Sequence, residues 1–144
     1  MAFQWLLMRI QEETERRERE AKILENLPNI LEEVHRALAQ CVESYTSAFG
    51  RESASISLLL SKIRVSLLEQ RDGRWQTRSQ VEIVTVPAVP GLQIDRGDVS
   101  MVVEVGLLPG NKYYYRDREQ DKFLTMEEFT RRILDRAFFP KLPE

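Results

Sequence analysis

The sequence predicts an α+β fold: two N-terminal helices, a curved antiparallel sheet of four or five strands, and a C-terminal helix packed on that sheet. Three observations lead there. A stretch free of Pro and Gly and rich in Glu, Arg and Leu opens the chain. Apolar and polar residues alternate with period two through its middle. Thr125 and Glu128 then spell a capping box, the start of a helix, near its end. At 144 residues and 42% hydrophobic, the chain suits one domain with its own core.

Residues 4 to 26 read as the first helix. Gln11 to Lys22 is almost wholly charged, with both signs interspersed, and Glu12–Arg16, Glu13–Arg17 and Glu15–Arg19 stand at i,i+4 in the favourable order. A shaft of this kind has little to bury, so it projects or lies across a partner. Its two ends are apolar: Phe3, Leu6, Leu7 and Ile10 at one, Ala21, Ile23, Leu24 and Leu27 at the other. Proline is tolerated in a helix's first turn and breaks one elsewhere, so Pro28 opens a second helix. Ile30, Leu31, Val34, Ala37, Leu38, Cys41, Val42 and Tyr45 form its stripe, and Gly50 its stop. The chain therefore divides into a projecting or oligomerising N-terminal helix over 1–27 and a single α+β domain over 28–144.

Residues 53 to 61 fit helix and strand equally. From Lys62 the strand pattern wins, with Ile63, Val65 and Leu67 on one face, and Asp72-Gly73 makes a tight hairpin turn. On the return strand Trp75, Thr77, Val81 and Ile83 share the apolar face, against Arg74, Gln76, Arg78, Gln80 and Glu82. Pro87 and Pro90-Gly91 begin a loop, and a short strand follows at Leu92–Ile94. Met101, Val103, Val105 and Leu107 mark a strong strand over 99–108. Pro109-Gly110-Asn111 turns the chain and Tyr113–Arg118 returns. In the last helix Met126, Phe129, Ile133, Leu134 and Ala137 face inward, and Pro140 ends it.

Several functions are excluded by what the chain lacks. A net charge of −2 is wrong for a sequence-blind polyanion binder. No window approaches the run of roughly 18 apolar residues of a membrane span. One cysteine and one histidine exclude an internal disulfide and any site needing two imidazoles from one chain. Glycine-rich phosphate loops and Gly-x-Ser-x-Gly are absent. Glu32-x-x-His35 is only half a di-metal site, and Cys41 lies about 9 Å in rise from His35, too far for a thiol–imidazole pair. Asp95 and Asp98 are explained by turn chemistry, and Glu127–Glu128 by helix capping. The expectation is a non-enzymatic chain with no cofactor and no metal. Its N-terminal apolar run precedes Arg9, the reverse of an export signal, and its one cysteine suits a reducing cytoplasm.

The leading functional expectation is a small assembly module that binds itself or another protein through Phe3, Leu6, Leu7, Ile10, Ile23 and Leu24. An interfacial membrane anchor is the rival for that helix, since Phe3, Trp5, Leu6 and Leu7 suit lipid. The alternative function is nucleic-acid or acidic-ligand binding by a basic–aromatic sheet face carrying Arg64, Arg74, Arg78, Tyr114 and Arg116. Residues 51–90 hold six basic and four acidic side chains, against six and nine in 1–50. A third expectation is a small-molecule pocket between sheet and helices.

Overall fold

The computed structural model describes residues 3–88, 90–97, 99–110 and 112–140. A single long helix, α1 (Gln4–Phe49), leads into seven strands: β1 (Ala54–Leu59), β2 (Lys62–Arg71), β3 (Arg74–Val86), β4 (Gly91–Asp95), β5 (Ser100–Leu108), β6 (Lys112–Asp117) and β7 (Lys122–Leu124). The helix α2 (Met126–Phe138) follows. The strands form one antiparallel meander in chain order, β1 to β7.

The α+β class, the antiparallel sheet and the C-terminal helix match the expectation. The two N-terminal helices do not: Pro28 lies inside one continuous helix of 46 residues. A mid-helix proline forfeits its hydrogen bond to the carbonyl four residues back and costs about 3 kcal/mol. Ile23, Leu27, Ile30, Leu31 and Val34, on both sides of it, are buried against the sheet. At about 1.5–3 kcal/mol each, their burial outweighs that cost. Pro28 itself faces solvent. The boundary drawn between residues 27 and 28 thus falls inside one continuous helix. The Gly50 stop is as expected: its N–H donates to the Thr46 carbonyl at 2.9 Å.

Four or five strands become seven. The ambiguous stretch forms β1, whose Ala54, Ile56 and Leu58 pair across to Leu67, Val65 and Ile63. At three residues, β7 is too short to display any periodicity. The Asp72-Gly73 turn forms as read, with both residues at positive φ (52° and 73°), as a two-residue type I′ hairpin turn needs.

Both helices cover the same face of the sheet. Ile63, Val65, Leu67, Val81, Ile83, Leu92, Ile94, Val103 and Val105 are fully enclosed there, against Ile30, Leu31, Val34 and Leu38 of α1 and Phe129 and Ile133 of α2. The capping box of α2 closes as the sequence implies. Thr125 Oγ1 accepts from the Glu128 N–H at 3.1 Å, and Glu128 reaches back to the Thr125 N–H. A hydrogen bond from Lys122, with Thr125 adding to it, holds the Glu128 carboxyl below the usual carboxylate range.

One register detail corrects the reading of β3. The pairing of β2 with β3 shifts between Leu67 and Leu68, so that Leu67 faces Ser79 while Leu68 faces Thr77. The extra residue is a β-bulge, which turns the alternation over beyond it. Arg78 consequently reaches the helix-covered side, and Trp75, expected on the buried face, is 39% exposed at the hairpin end.

Candidate functional site

The helix α1 is far longer than the sheet it crosses. At 1.5 Å per residue its 46 residues span about 70 Å. Seven strands at about 4.8 Å spacing give a sheet roughly 29 Å across. Part of the helix must lie outside, and it is the N-terminal part: from Gln4 to Lys22 no residue is buried. Phe3 (68% exposed), Trp5 (64%), Leu7 (50%) and Ile10 (53%) stand at the tip, with Leu6 and Met8 also exposed.

The tip does not simply continue the core stripe. At about 100° per residue, Phe3, Leu6, Leu7 and Ile10 lie about a third of a turn around the axis from the stripe of Ile23, Leu27, Val34 and Leu38. The expected interaction residues accordingly separate. Leu24 is exposed on the same side as Leu6, whereas Ile23 belongs to the chain's own core. Trp5 and Met8 point away from Phe3 and Ile10, which leaves the tip apolar nearly all round.

The shaft below the tip is held by its own charges. Glu13 accepts from Arg16 at 2.6 Å and from Arg17 at 3.1 Å, and Arg16 also contacts Glu20. These bonds hold the Glu13 carboxyl down at about 2. Of the three expected i,i+4 pairs, Glu13–Arg17 forms as read. Arg16 turns to Glu13 and Glu20, and Glu12 pairs with Arg9 at 3.3 Å.

The five residues of the basic–aromatic proposal are dispersed. Arg64 lies on the open face of the sheet beside Lys62, and both grip Glu82 (3.2 and 3.1 Å). The Lys62 bond is foremost in holding the Glu82 carboxyl below its ordinary range. Arg116 is on the same face but four strands away, roughly 19 Å. It is held by Asp121 and by Glu104 at 3.3 Å. Tyr114 stands edge-on to Phe123 (ring centres 5.3 Å apart) over Gly106, where an added Cβ would come within 2.0 Å of the tyrosine ring. Arg74 is exposed at the hairpin end. Arg78 is on the opposite side of the sheet, donating to the carbonyls of Ala137 and Phe138 at 3.0 and 3.3 Å. The tyrosines split by alternation: Tyr113 reaches Asn26 of α1 at 3.3 Å, and Tyr115 packs at a tilt of 43° against Phe129 in the core. Burial, reinforced by the nearby Glu33 carboxylate, pushes the Tyr115 hydroxyl well up.

Under Ile30 to Leu38 the space between sheet and α1 is filled by aliphatic side chains. Nearer the arm a cleft of about 290 Å³ opens between Arg16, Arg19 and Glu20 of α1 and Glu104 and Tyr114 of the sheet, and further clefts open against α2. One, of about 520 Å³, runs between α1 and α2 and is lined by Cys41, Tyr45, Phe49, Leu134, Phe138 and Phe139. Tyr45 and Phe138 are stacked there at 4.4 Å. A second, polar cleft of about 570 Å³ lies where α2 meets β5 and the turn after β6. Its floor is Asp117, nearly buried, which pairs with Arg132 and accepts from the Glu119 N–H at 2.9 Å. A third, of about 220 Å³, sits at the C-terminal end of α2 against β3. Arg96, Arg136 and Ser79 line it with Arg78. No sequence motif marks those three, because β3, the loop after β4 and the end of α2 bring them together only in the folded chain.

Among the described residues no group of three or more His, Cys, Asp or Glu side chains is arranged to hold a metal. Asp95 accepts from the Gly97 N–H at 2.8 Å, as its turn reading implies, and Asp98 lies outside the described residues. Among the described residues no helix is long and apolar enough to cross a membrane. No protein-family model, curated protein or solved structure matches the chain.

Proposed function

We propose that the chain is an assembly module that self-associates through the projecting N-terminal arm of α1. The observation that carries this reading is the contrast within one helix: nothing is buried between Gln4 and Lys22, yet the first turns carry six large apolar side chains. A helix apolar on all sides belongs in the interior of a larger structure. Its own sheet is out of reach of the tip, so the covering surface comes from other chains.

A second copy of the same arm is the occupant that fits. Arg9, Arg16, Arg17, Arg19 and Lys22 balance Glu12, Glu13, Glu15, Glu18 and Glu20, so two shafts carry no net charge to repel each other. Apolar side chains on opposite sides of the tip favour a bundle of three or more arms over a two-helix pair. Residues Phe3, Leu6, Leu7, Ile10 and Leu24 form the contact, with Trp5 and Met8 turned to a further neighbour.

The test is the solution mass by light scattering of the full chain beside the full chain carrying Leu7→Glu and Ile10→Glu. The reading requires an oligomer that the two substitutions reduce to a monomer with unchanged sheet content by circular dichroism. A monomeric parent chain, or a variant that keeps the oligomer, overturns it.

A further inference from the structure

We propose that the cleft at the C-terminal end of α2 is a binding site for a tetrahedral oxyanion, inorganic phosphate or the phosphate group of a phosphomonoester. Arg78, Arg96 and Arg136 line this cleft of about 220 Å³ together with Ser79, Gln80 and Val81, and no carboxylate does. Among the described residues none of the three arginines has a carboxylate within ion-pair distance. This is unlike the sheet face, where Arg64 and Arg116 are matched by Glu82, Glu104 and Asp121.

Two polar atoms at the cleft are shut off from solvent without a hydrogen-bond partner, Nε of Arg96 and Oγ of Ser79. An unmade hydrogen bond on a buried group is costly, and more so on a charged one. Both are donors that a small turn of either side chain toward the cleft would present to an anion's oxygens. The other ends of two arginines are already anchored. Arg78 donates to the Ala137 and Phe138 carbonyls, and Arg96 Nη1 donates to the Arg132 carbonyl at 3.2 Å. The guanidiniums are thereby held in place before any ligand arrives, which reduces the ordering needed on binding.

The charge and shape select the ligand. Three guanidinium forks and a hydroxyl offer more donors than a single carboxylate can accept, and they match the several oxygens and double charge of a phosphate. Arg96 and Arg136 also line the adjoining polar cleft, where Asp117, Glu119 and Asp135 stand with Ser100 and Met101, so the room beside the phosphate suits a neutral or cationic organic group and not a second anion. The site lies apart from the arm of α1, so its test is independent of the assembly reading.

Inorganic phosphate is titrated into the full chain by calorimetry, with sodium acetate and sodium chloride at matched ionic strength as references. Saturable phosphate binding is expected, with acetate and chloride giving none. Arg136→Gln, an exposed position, is expected to weaken phosphate about tenfold or more, and Arg96→Lys, which removes Nε but keeps the charge, to weaken it as well. Arg74→Gln, at the hairpin end, is expected to bind as the parent does. Absence of saturable phosphate binding, binding undiminished in Arg136→Gln, or acetate binding as tightly as phosphate would each overturn the proposal.

Discussion

The two stretches of α1 are one helix stabilised in two ways. From Ile23 to Val42 every third or fourth residue is buried against the sheet, and burial is strong enough to carry the helix through Pro28. From Gln4 to Lys22 no residue is buried, and the helix rests on propensity and on solvent-exposed charge pairs, which contribute little. Its start is also weak: Phe3 is the N-cap, with no side-chain cap bond and no acidic residue in the first turn. Helical continuity therefore says little about what a helix is for. The buried stretch builds the domain, and the bare stretch is available for a partner.

The sharpest way to separate the two is a pair of equal truncations. Leu38→Ala, at a fully buried position, is expected to cost about 2–5 kcal/mol in urea denaturation. Leu7→Ala is expected to change the stability of the isolated monomer by less than about 0.5 kcal/mol, while weakening any oligomer. Equal effects on the monomer would mean that the arm is packed against its own domain.

Pro28→Ala probes the junction. The ring faces solvent, so the substitution restores a backbone donor and loses little packing. An increase in stability of about 1–3 kcal/mol is expected in the same denaturation series. A neutral or destabilising result would assign Pro28 a positive role in directing the helix.

A smaller effect is expected where a helix start is well built. Thr125→Ala removes the side-chain half of the capping box of α2, leaving the backbone N–H of residue 125 to donate to Glu128, and is expected to cost about 1 kcal/mol. Phe3→Ala, at the uncapped start of α1, should leave the denaturation midpoint of the monomer unmoved.

The smallest effect is local and pH-dependent. Glu13 is held at about 2 in the folded arm, below its ordinary 4.5, by Arg16 and then Arg17. A depressed carboxyl contributes support that is fully present above its unfolded pKa and is lost as pH falls through the folded one. Fraying of residues 4–22 should therefore grow between about pH 4.5 and pH 2, as read by amide chemical shifts, and Glu13→Gln should reduce that dependence, most of all at the low-pH end. An arm whose helicity is flat across this window would show that the charge pairs carry no weight.

What was legible in the sequence was mostly local. The Asp72-Gly73 turn, the capping box and the apolar stripes of β2, β5 and α2 each need only neighbouring residues to specify them, and each forms as read. The misreadings share a different cause. Pro28 is overruled by burial on both sides, which depends on a sheet far away in sequence. The bulge opposite Leu67 moves Arg78 and Trp75 to unexpected sides, and no alternation pattern announces it. The arginine cleft joins β3, the loop after β4 and the end of α2, and its chemistry lies in what surrounds Arg96 rather than in any motif. The exposed apolar tip was visible as composition, but only the length of the unbroken helix places it beyond the sheet.

The most direct test of the account is hydrogen exchange of the α1 amides at two protein concentrations, one well above and one well below assembly. Residues 23–42 should be equally protected at both. Residues 4–22 should be protected only at the higher concentration, and Leu7→Glu with Ile10→Glu should remove that protection. An arm equally protected, or equally unprotected, at both concentrations would contradict it.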